Sequence, residues 1–395
     1  MNRTSLISSL RCKMCNKSLH RAGQCSPRYQ RGFSLIELMV AVALGLVVVA
    51  GIINLFVANR KAYDVQSSNN FLQEDLRIAV DRMSWALRMA DFWGGNPAAN
   101  VAVGSAANAV TANGGCTGSW ATGVTTATTG GGGIYGYDGA ASFPLDVNCI
   151  GGSANYVPGS DVFVVRYADS QVLAPGPAVT GVSPAESSTI SNNAKELFLL
   201  SVPNTSAQLF TGSKVPTITS TLPSYAYAYQ LNMFYLRPCS VPVGAGTTCS
   251  AAADGGSPLP TLMRMYLNNQ GALVSEPIID GIEQMKVEYG VSTDLNNNVT
   301  PTYETATQVT SNGQWNNVIS VRVSLVAVNP TRDISVPHAF TATLGTLGAC
   351  TYIINNASAA TVTNCPNFTP YGDKPWQFVR AQQQFVVQLR NRVLI

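Results

Sequence analysis

The chain is poor in charge. Only 11% of its 395 residues are Asp, Glu, Lys or Arg, against about 25% in an ordinary soluble domain, and the deficit is filled by Gly, Ala, Ser, Thr and Asn, which make a bland surface and long loops. Histidine is scarce: there are two, His20 and His338. With no H-E-x-x-H and no G-x-S-x-G, the chain lacks the usual metalloprotease and hydrolase signatures, and no enzymatic activity is expected. Acidic residues are missing from positions 1–32, and proline is missing between Phe33 and Pro97. The first absence leaves one end basic; the second leaves nothing to break a long helix.

That basic end holds Arg3, Arg11, Lys13, Lys17, Arg21, Arg28 and Arg31. Taking these seven from the total of 24 Lys+Arg leaves 17 against 21 Asp+Glu from residue 33 onward, so a net charge of +3 hides a remainder of −4. The basic segment lacks interleaved aromatics and the rest of the chain has no basic stripe, so no nucleic-acid partner is expected. A basic tail abutting an apolar run obeys the positive-inside rule and points the bulk of the protein out of the cytoplasm. The run from Phe33 to Val57, 25 residues, spans about 37 Å as a helix, enough for a hydrocarbon core of about 30 Å. It exceeds a signal h-region of about 7–15 residues and no small-residue cleavage site follows, so it reads as a lasting single-pass anchor. Glu37 lies inside this run, where an unpaired carboxylate costs about 2.5–3.5 kcal/mol.

Past Asn59 the pattern becomes amphipathic. Leu72, Leu76, Ala79, Val80, Met83, Leu87 and Ala90 recur at helical spacing, with charges mostly between them. The helix is expected to continue to about Phe92 as a rod of roughly 90 Å, ended by Gly94, Gly95 and Pro97. Residues 96–160 are rich in small residues; Gly131, Gly133 and Gly136 satisfy G-x-G-x-x-G there, but without a strand before and a helix after they read as a loop. Strands are expected at 161–168, 196–202, 225–236, 262–268, 284–291, 318–328 and 382–390, forming an antiparallel sheet with one face on the amphipathic half-helix.

Gly32, Phe33, Ser34, Leu35, Ile36 and Glu37, followed by the apolar run, resemble the processing site of type IV prepilins and related pseudopilins. The resemblance implies cleavage between Gly32 and Phe33 by a prepilin peptidase and methylation of the Phe33 amine. It also implies that Glu37 neutralises the amine of an adjacent subunit during assembly, since a charge buried in a helix bundle needs a partner. "VRYA", "IIDGIEQMKVEYGV", "VISVRVSL" and the closing "QFVVQLRNR" are similar to PilW-like minor pilins. The implied fold is α+β and pilin-like, with five segments: a basic leader 1–32, a hydrophobic transmembrane half-helix 33–58, an amphipathic half-helix 59–93, a Gly/Ala/Thr-rich loop region 94–160 and a β-rich head 161–395. Met14 is an alternative start within the leader.

The implied function is that of a minor pilin of a type IV pilus, a structural subunit that primes assembly or sits at the tip. A minor pseudopilin of a type II secretion system is the alternative, and a lone membrane-anchored surface adhesin or enzyme is a third reading. Expected partners are the prepilin peptidase, other minor pilins, the major pilin, the bacterial inner membrane and a tip adhesin; the head should lie in the periplasm and then on the pilus at the cell surface.

Six cysteines follow the helix: Cys116, Cys149, Cys239, Cys249, Cys350 and Cys365. An even number facing an oxidising space suggests disulfides; fifteen connectivities are open, with nearest-neighbour pairing preferred. In the leader, Cys12, Cys15, His20 and Cys25 have the spacing of a zinc knuckle without its glycine and aromatics, and chance in a discarded leader is the preferred reading. Asp294, Asn296 and Asn298 open a candidate calcium loop, although Val299 stands where Gly is needed and Thr305 where a Glu should be; a polar hairpin turn is the alternative. No other cofactor is expected. His338 is expected in a loop or strand edge with a structural or solvated role.

Overall fold

The computed structural model describes residues 32–104, 110, 118–123, 132–175, 187–216, 222–244, 246–292, 301–334, 337–346, 350–355 and 360–392. The leader motif and the calcium candidates Asp294, Asn296 and Asn298 lie outside the described residues. The chain forms two compact units, residues 1–61 and 62–395, and helix α1 (Leu35–Met89) runs through the boundary. Its described residues in the first unit are all exposed, and most of them are apolar. In the second unit Leu72, Leu76, Ala79, Met83 and Leu87 are buried, and steps of three and four residues keep them on one stripe of the helix.

The first sheet of the head comprises β1 (Val101–Ala102), β2 (Ile134–Tyr137), β3 (Val162–Pro175), β4 (Leu197–Val202), β5 (Ser206–Thr211), β6 (Tyr225–Arg237), β7 (Thr261–Leu267) and β8 (Leu273–Asp280). Their order is β1-β5-β4-β6-β3-β2, with β7 on β6 and β8 on β7. β4 pairs with the first part of β6 and β7 with its last part. All these pairs are antiparallel except the short parallel pair β1–β5. Next come β9 (Ile282–Val291), β10 (Thr302–Glu304) and β11 (Val318–Val328), a small sheet of β12 (Phe340–Leu344), β13 (Cys350–Ile354) and β14 (Thr361–Thr363), and finally β15 (Arg380–Gln388). The second sheet has the order β10-β9-β11-β15 and is antiparallel; the third is β12-β13-β14.

One apolar cluster joins the helix stripe to Phe163, Val165 and Tyr167 of β3, Phe234 and Leu236 of β6, Met285, Val287 and Tyr289 of β9, and Val321, Val323 and Leu325 of β11. The amphipathic half-helix is thus the common filling of two sheets. The alternate residues Val162, Val164, Leu231, Met233 and Tyr235 belong to a second cluster with Trp93, Trp120, Phe143, Ile150 and Tyr156. The first sheet is therefore covered on both faces, where only one was expected. The covering layer comes from the small-residue stretch before β3, whose few large side chains turn inward.

Two glycines of the apparent nucleotide-loop pattern allow close approach of backbone. A Cβ at Gly136 would lie 1.7 Å from the Tyr289 hydroxyl oxygen, and one at Gly133 would lie 2.2 Å from the Asp91 nitrogen. β8 escaped the strand reading because Pro277 interrupts it. The proline sits beside a register shift, with Leu262 opposite Ile279 and Met263 opposite Pro277, as expected for an edge strand, where a missing N–H is tolerated.

Helix α1 ends at Met89, earlier than Phe92, because Asp91 adopts a left-handed φ of 62° and reverses the chain. Some of the scarce charges of the head form buried pairs. Glu283 on β9 accepts from Arg380 on β15 at 2.7 and 3.2 Å, from the Tyr352 hydroxyl on β13 at 2.8 Å and from the Tyr371 nitrogen at 3.1 Å. Arg380 also donates to the carbonyl oxygens of Pro375, Phe378 and Tyr371. Asp161, just before β3, binds Lys286 and the Val287 nitrogen of β9, each at 2.7 Å, and so links the first two sheets. Removing one partner of such a pair strands the other charge. Glu283→Ala should therefore destabilise the head by about 3–5 kcal/mol in denaturant unfolding of the purified chain, while the exposed Glu74→Ala leaves the midpoint nearly unchanged.

Candidate functional site

Residues suited to a chemical role gather at the two ends of α1. At the start, Gly32, Phe33 and Ser34 are non-helical and exposed and the helix begins at Leu35. The Leu38 nitrogen donates to the Ser34 carbonyl oxygen at 3.1 Å, so Ser34 stands at the cap position. Glu37 falls in the first helical turn, where the helix dipole favours a negative charge, and Ser34 and Glu37 have the spacing of a capping box. The Gly32–Phe33 bond is thus in open, non-helical chain directly before a long helix. The segment from Leu35 is long and apolar enough to cross a membrane, with a mean hydropathy of 2.8 over its most apolar stretch and none of that stretch buried.

At the other end, the turn after Met89 is sealed by the last strand's extension. The Asn391 side-chain amide donates to the Ala90 carbonyl oxygen at 2.9 Å and to that of Met89 at 3.4 Å. The Asp91 carboxylate accepts from the Arg392 guanidinium, from the Gly133 nitrogen and, at 3.0 Å, from the Trp93 indole. Arg392 donates further to the carbonyl oxygens of Trp315 and Val318. Arg166 on β3, fully buried, donates to the carbonyl oxygens of Gly132 at 2.9 Å and Trp120 at 2.6 Å, and burial lowers its pKa.

Cys239 pairs with Cys249 and Cys350 with Cys365, as nearest-neighbour pairing requires. Cys149 is disulfide-bonded, and Cys116 lies outside the described residues. His338 has a structural place: its Nε2 lies 3.1 Å from the Asp333 carboxylate and its backbone nitrogen donates to the Trp376 carbonyl oxygen. Among the described residues no group of His, Cys, Asp and Glu could hold a metal ion. The buried charges Asp91, Arg166, Glu283, Arg380 and Arg392 were not singled out from sequence. For Asp91 and Arg166 a signal was present, since each is a charge set among apolar neighbours in a chain that has few charges to place; Glu283 and Arg392 have polar or charged neighbours and carry no such signal.

Comparison with known proteins gives two matches. Residues 27–53 match the prokaryotic N-terminal methylation motif. With the exposed apolar helix behind the Gly32–Phe33 bond, this defines a type IV prepilin-like protein, a membrane-anchored pilus component. Residues 248–391 match the family described as PilW, type IV pilus-assembly protein W, which makes the protein PilW-like within the pilus-related pilins, a structural family. That match contains β7 to β15 and the Asn391 seal, and leaves most of the first sheet outside it. No curated protein matches the chain, and no solved structure does.

Processing at the start of the helix is directly measurable. The mature protein purified from membranes should begin at Phe33 with a methylated amine; intact mass and N-terminal sequencing check this, and a mature chain that keeps Arg31 contradicts it. On the buried stripe, Asp75 is 4% exposed. Burial, and then the nearby Asp280 and Glu74 carboxylates, push its pKa up to about 6. A carboxyl whose folded pKa is raised favours the folded state at low pH, and that contribution is lost as pH rises from about 4 through about 6. Asp75→Asn should accordingly raise the melting temperature at pH 8 relative to the parent and change it little at pH 4.

Proposed function

We propose that the protein is a minor pilin of a type IV pilus, cleaved between Gly32 and Phe33, methylated on Phe33 and held in the bacterial inner membrane by a single pass with its head in the periplasm until assembly. It acts in a small complex that primes the filament or caps its tip. The observation that carries this reading is the placement of Glu37: an acid in the first turn of an otherwise apolar half-helix, four residues after the residue that becomes the new amino terminus. A carboxylate so placed meets the amine of a neighbouring subunit when helices pack side by side, and outside a filament it can pair with its own amine. The match to PilW favours a pilus over a type II secretion system, whose minor pseudopilins share the same processing motif.

The size of the second unit, residues 62–395, suits a subunit with few lateral neighbours, because many copies of so large a head would crowd around a thin bundle of helices. Starting a filament is costly when the first subunits gain few contacts, and a complex of minor pilins lowers that barrier. Working partners on this reading are the prepilin peptidase, other minor pilins, the major pilin and an adhesin at the tip.

Glu37→Ala tests the assignment directly. The variant should insert and be cleaved yet be lost from sheared surface pili, and deletion of the gene should reduce surface pili and twitching while major pilin accumulates in the inner membrane. Deletion that spares pili but stops export of folded enzymes to the medium would transfer the protein to the secretion class.

A further inference from the structure

A strand at the edge of a sheet presents unpaired N–H and C=O groups that template another strand, and proteins blunt such edges with shortness, proline, bulges, charge or a cover. The terminal strands of this head show those devices. β1 has two residues, β2 four, and β10 and β14 three each. β8 carries Pro277, Glu276 and a register shift. β12 has five residues, and the Gln382 side chain takes its Thr343 carbonyl oxygen at 2.7 Å.

From Ala381 onward β15 has none of these. It runs nine residues, pairs with β11 in unbroken register from Ser320↔Gln388 to Val328↔Arg380, and among the described residues no strand lies on its other edge. Between Ala381 and Gln388 there is no charge and no proline.

The direction of its backbone groups follows from the ladder. The Asn329 nitrogen donates to the Val379 carbonyl oxygen and the Leu389 nitrogen to that of Ile319. In an antiparallel pair, residues alternate between facing the partner and facing away, so the odd-numbered residues from 379 to 389 bond to β11. The N–H and C=O groups of Gln382, Gln384, Val386 and Gln388 therefore point to the open side, and the side chains of the same four residues are exposed. Phe385 and Ala381 on the opposite face are only half-buried, leaving apolar surface for a neighbouring strand to cover.

We propose that β15 is an assembly edge: an extended strand of a different pilus subunit adds to it and continues the second sheet. This rests on the minor-pilin reading above. The incoming strand alternates apolar residues, over Ala381 and Phe385, with small or amide residues beside the Gln row, and carries an acid opposite the exposed Arg390. Two copies of this chain fit poorly, because residues 380–392 hold Arg380, Arg390 and Arg392 and no acid, so a pair of β15 strands brings no countercharge to Arg390.

The test uses the full-length chain in its own cells. Val386→Pro removes an N–H that the internal ladder does not use, at a position where an edge strand tolerates proline, whereas Val386→Thr keeps the N–H. The proline variant should be cleaved at Phe33 and melt like the parent but be lost from sheared pili, with the threonine variant retained. A photo-crosslinking residue at Gln384, in a chain with no other change, should yield an adduct that mass spectrometry maps to an extended segment of another pilin subunit. Recovery of Val386→Pro in pili at the parent level overturns the proposal. So do Gln384 adducts confined to a second copy of the chain, or their absence, in a parent that is processed and present in pili. A parent chain that is never processed and never enters pili overturns the minor-pilin reading, and this proposal with it.

Discussion

An α-helix leaves its last four carbonyl oxygens without donors from its own backbone, and a helix end buried inside a domain must find those donors elsewhere. Here the Ala90 and Phe92 nitrogens reach the Leu87 and Met89 carbonyl oxygens, and the far end of the chain adds to them. Asn391 reaches the carbonyl oxygens of Met89 and Ala90, and Arg392 meets the carboxylate of Asp91, the residue whose left-handed turn ends the helix. The same carboxylate holds the Gly133 nitrogen and the Trp93 indole. Helix, second sheet and covering layer are all tied to this turn, and the position of each constrains the others.

The rest of the head follows from having a helix as filling. A helix stripe of Leu, Ala and Met can serve two sheets at once only if both present apolar faces to it, which β3, β6, β9 and β11 do. Strands buried on both faces lose the alternation that marks a half-exposed strand, and β3 and β6 are of this kind. Charges that remain inside must then be paired, and Glu283–Arg380 and Asp161–Lys286 are placed where they join different elements of the head. Pairing of this type fixes register as well as adding attraction.

Periodicity and rare motifs made much of this architecture legible in the sequence. β11 has the bounds expected of it, and β4, β6, β7 and β9 lie within a few residues of theirs. The long helix was legible from an apolar run passing into a three-four repeat with no proline. The N-terminal methylation motif was legible because glycine, serine and a lone acid abut an apolar helix. What escaped was set by tertiary contact. β8 is broken by Pro277; β5, β12 and β13 are short; the covering layer depends on isolated aromatics such as Trp120 and Phe143 in a stretch whose composition says loop. Asp91, Asn391 and Arg392 could not be joined from sequence, since nothing local in 89–91 or 391–392 indicates that two segments about 301 residues apart are neighbours.

The Asn391–Ala90 contact also sets an order of events during synthesis. The helix is made early, yet its end stays unsealed until residues 391 and 392 have emerged, and β15, which completes the second sheet, is made just before them. Contacts of such sequence separation form late, because a long loop must close before they contribute. A chain still in transit can cover the apolar stripe from Leu72 to Ala90 with β3 and β6 first, and the face that β9 and β11 fill stays open until those strands have been made. Through that interval the uncovered apolar surface is the part of the chain most open to aggregation.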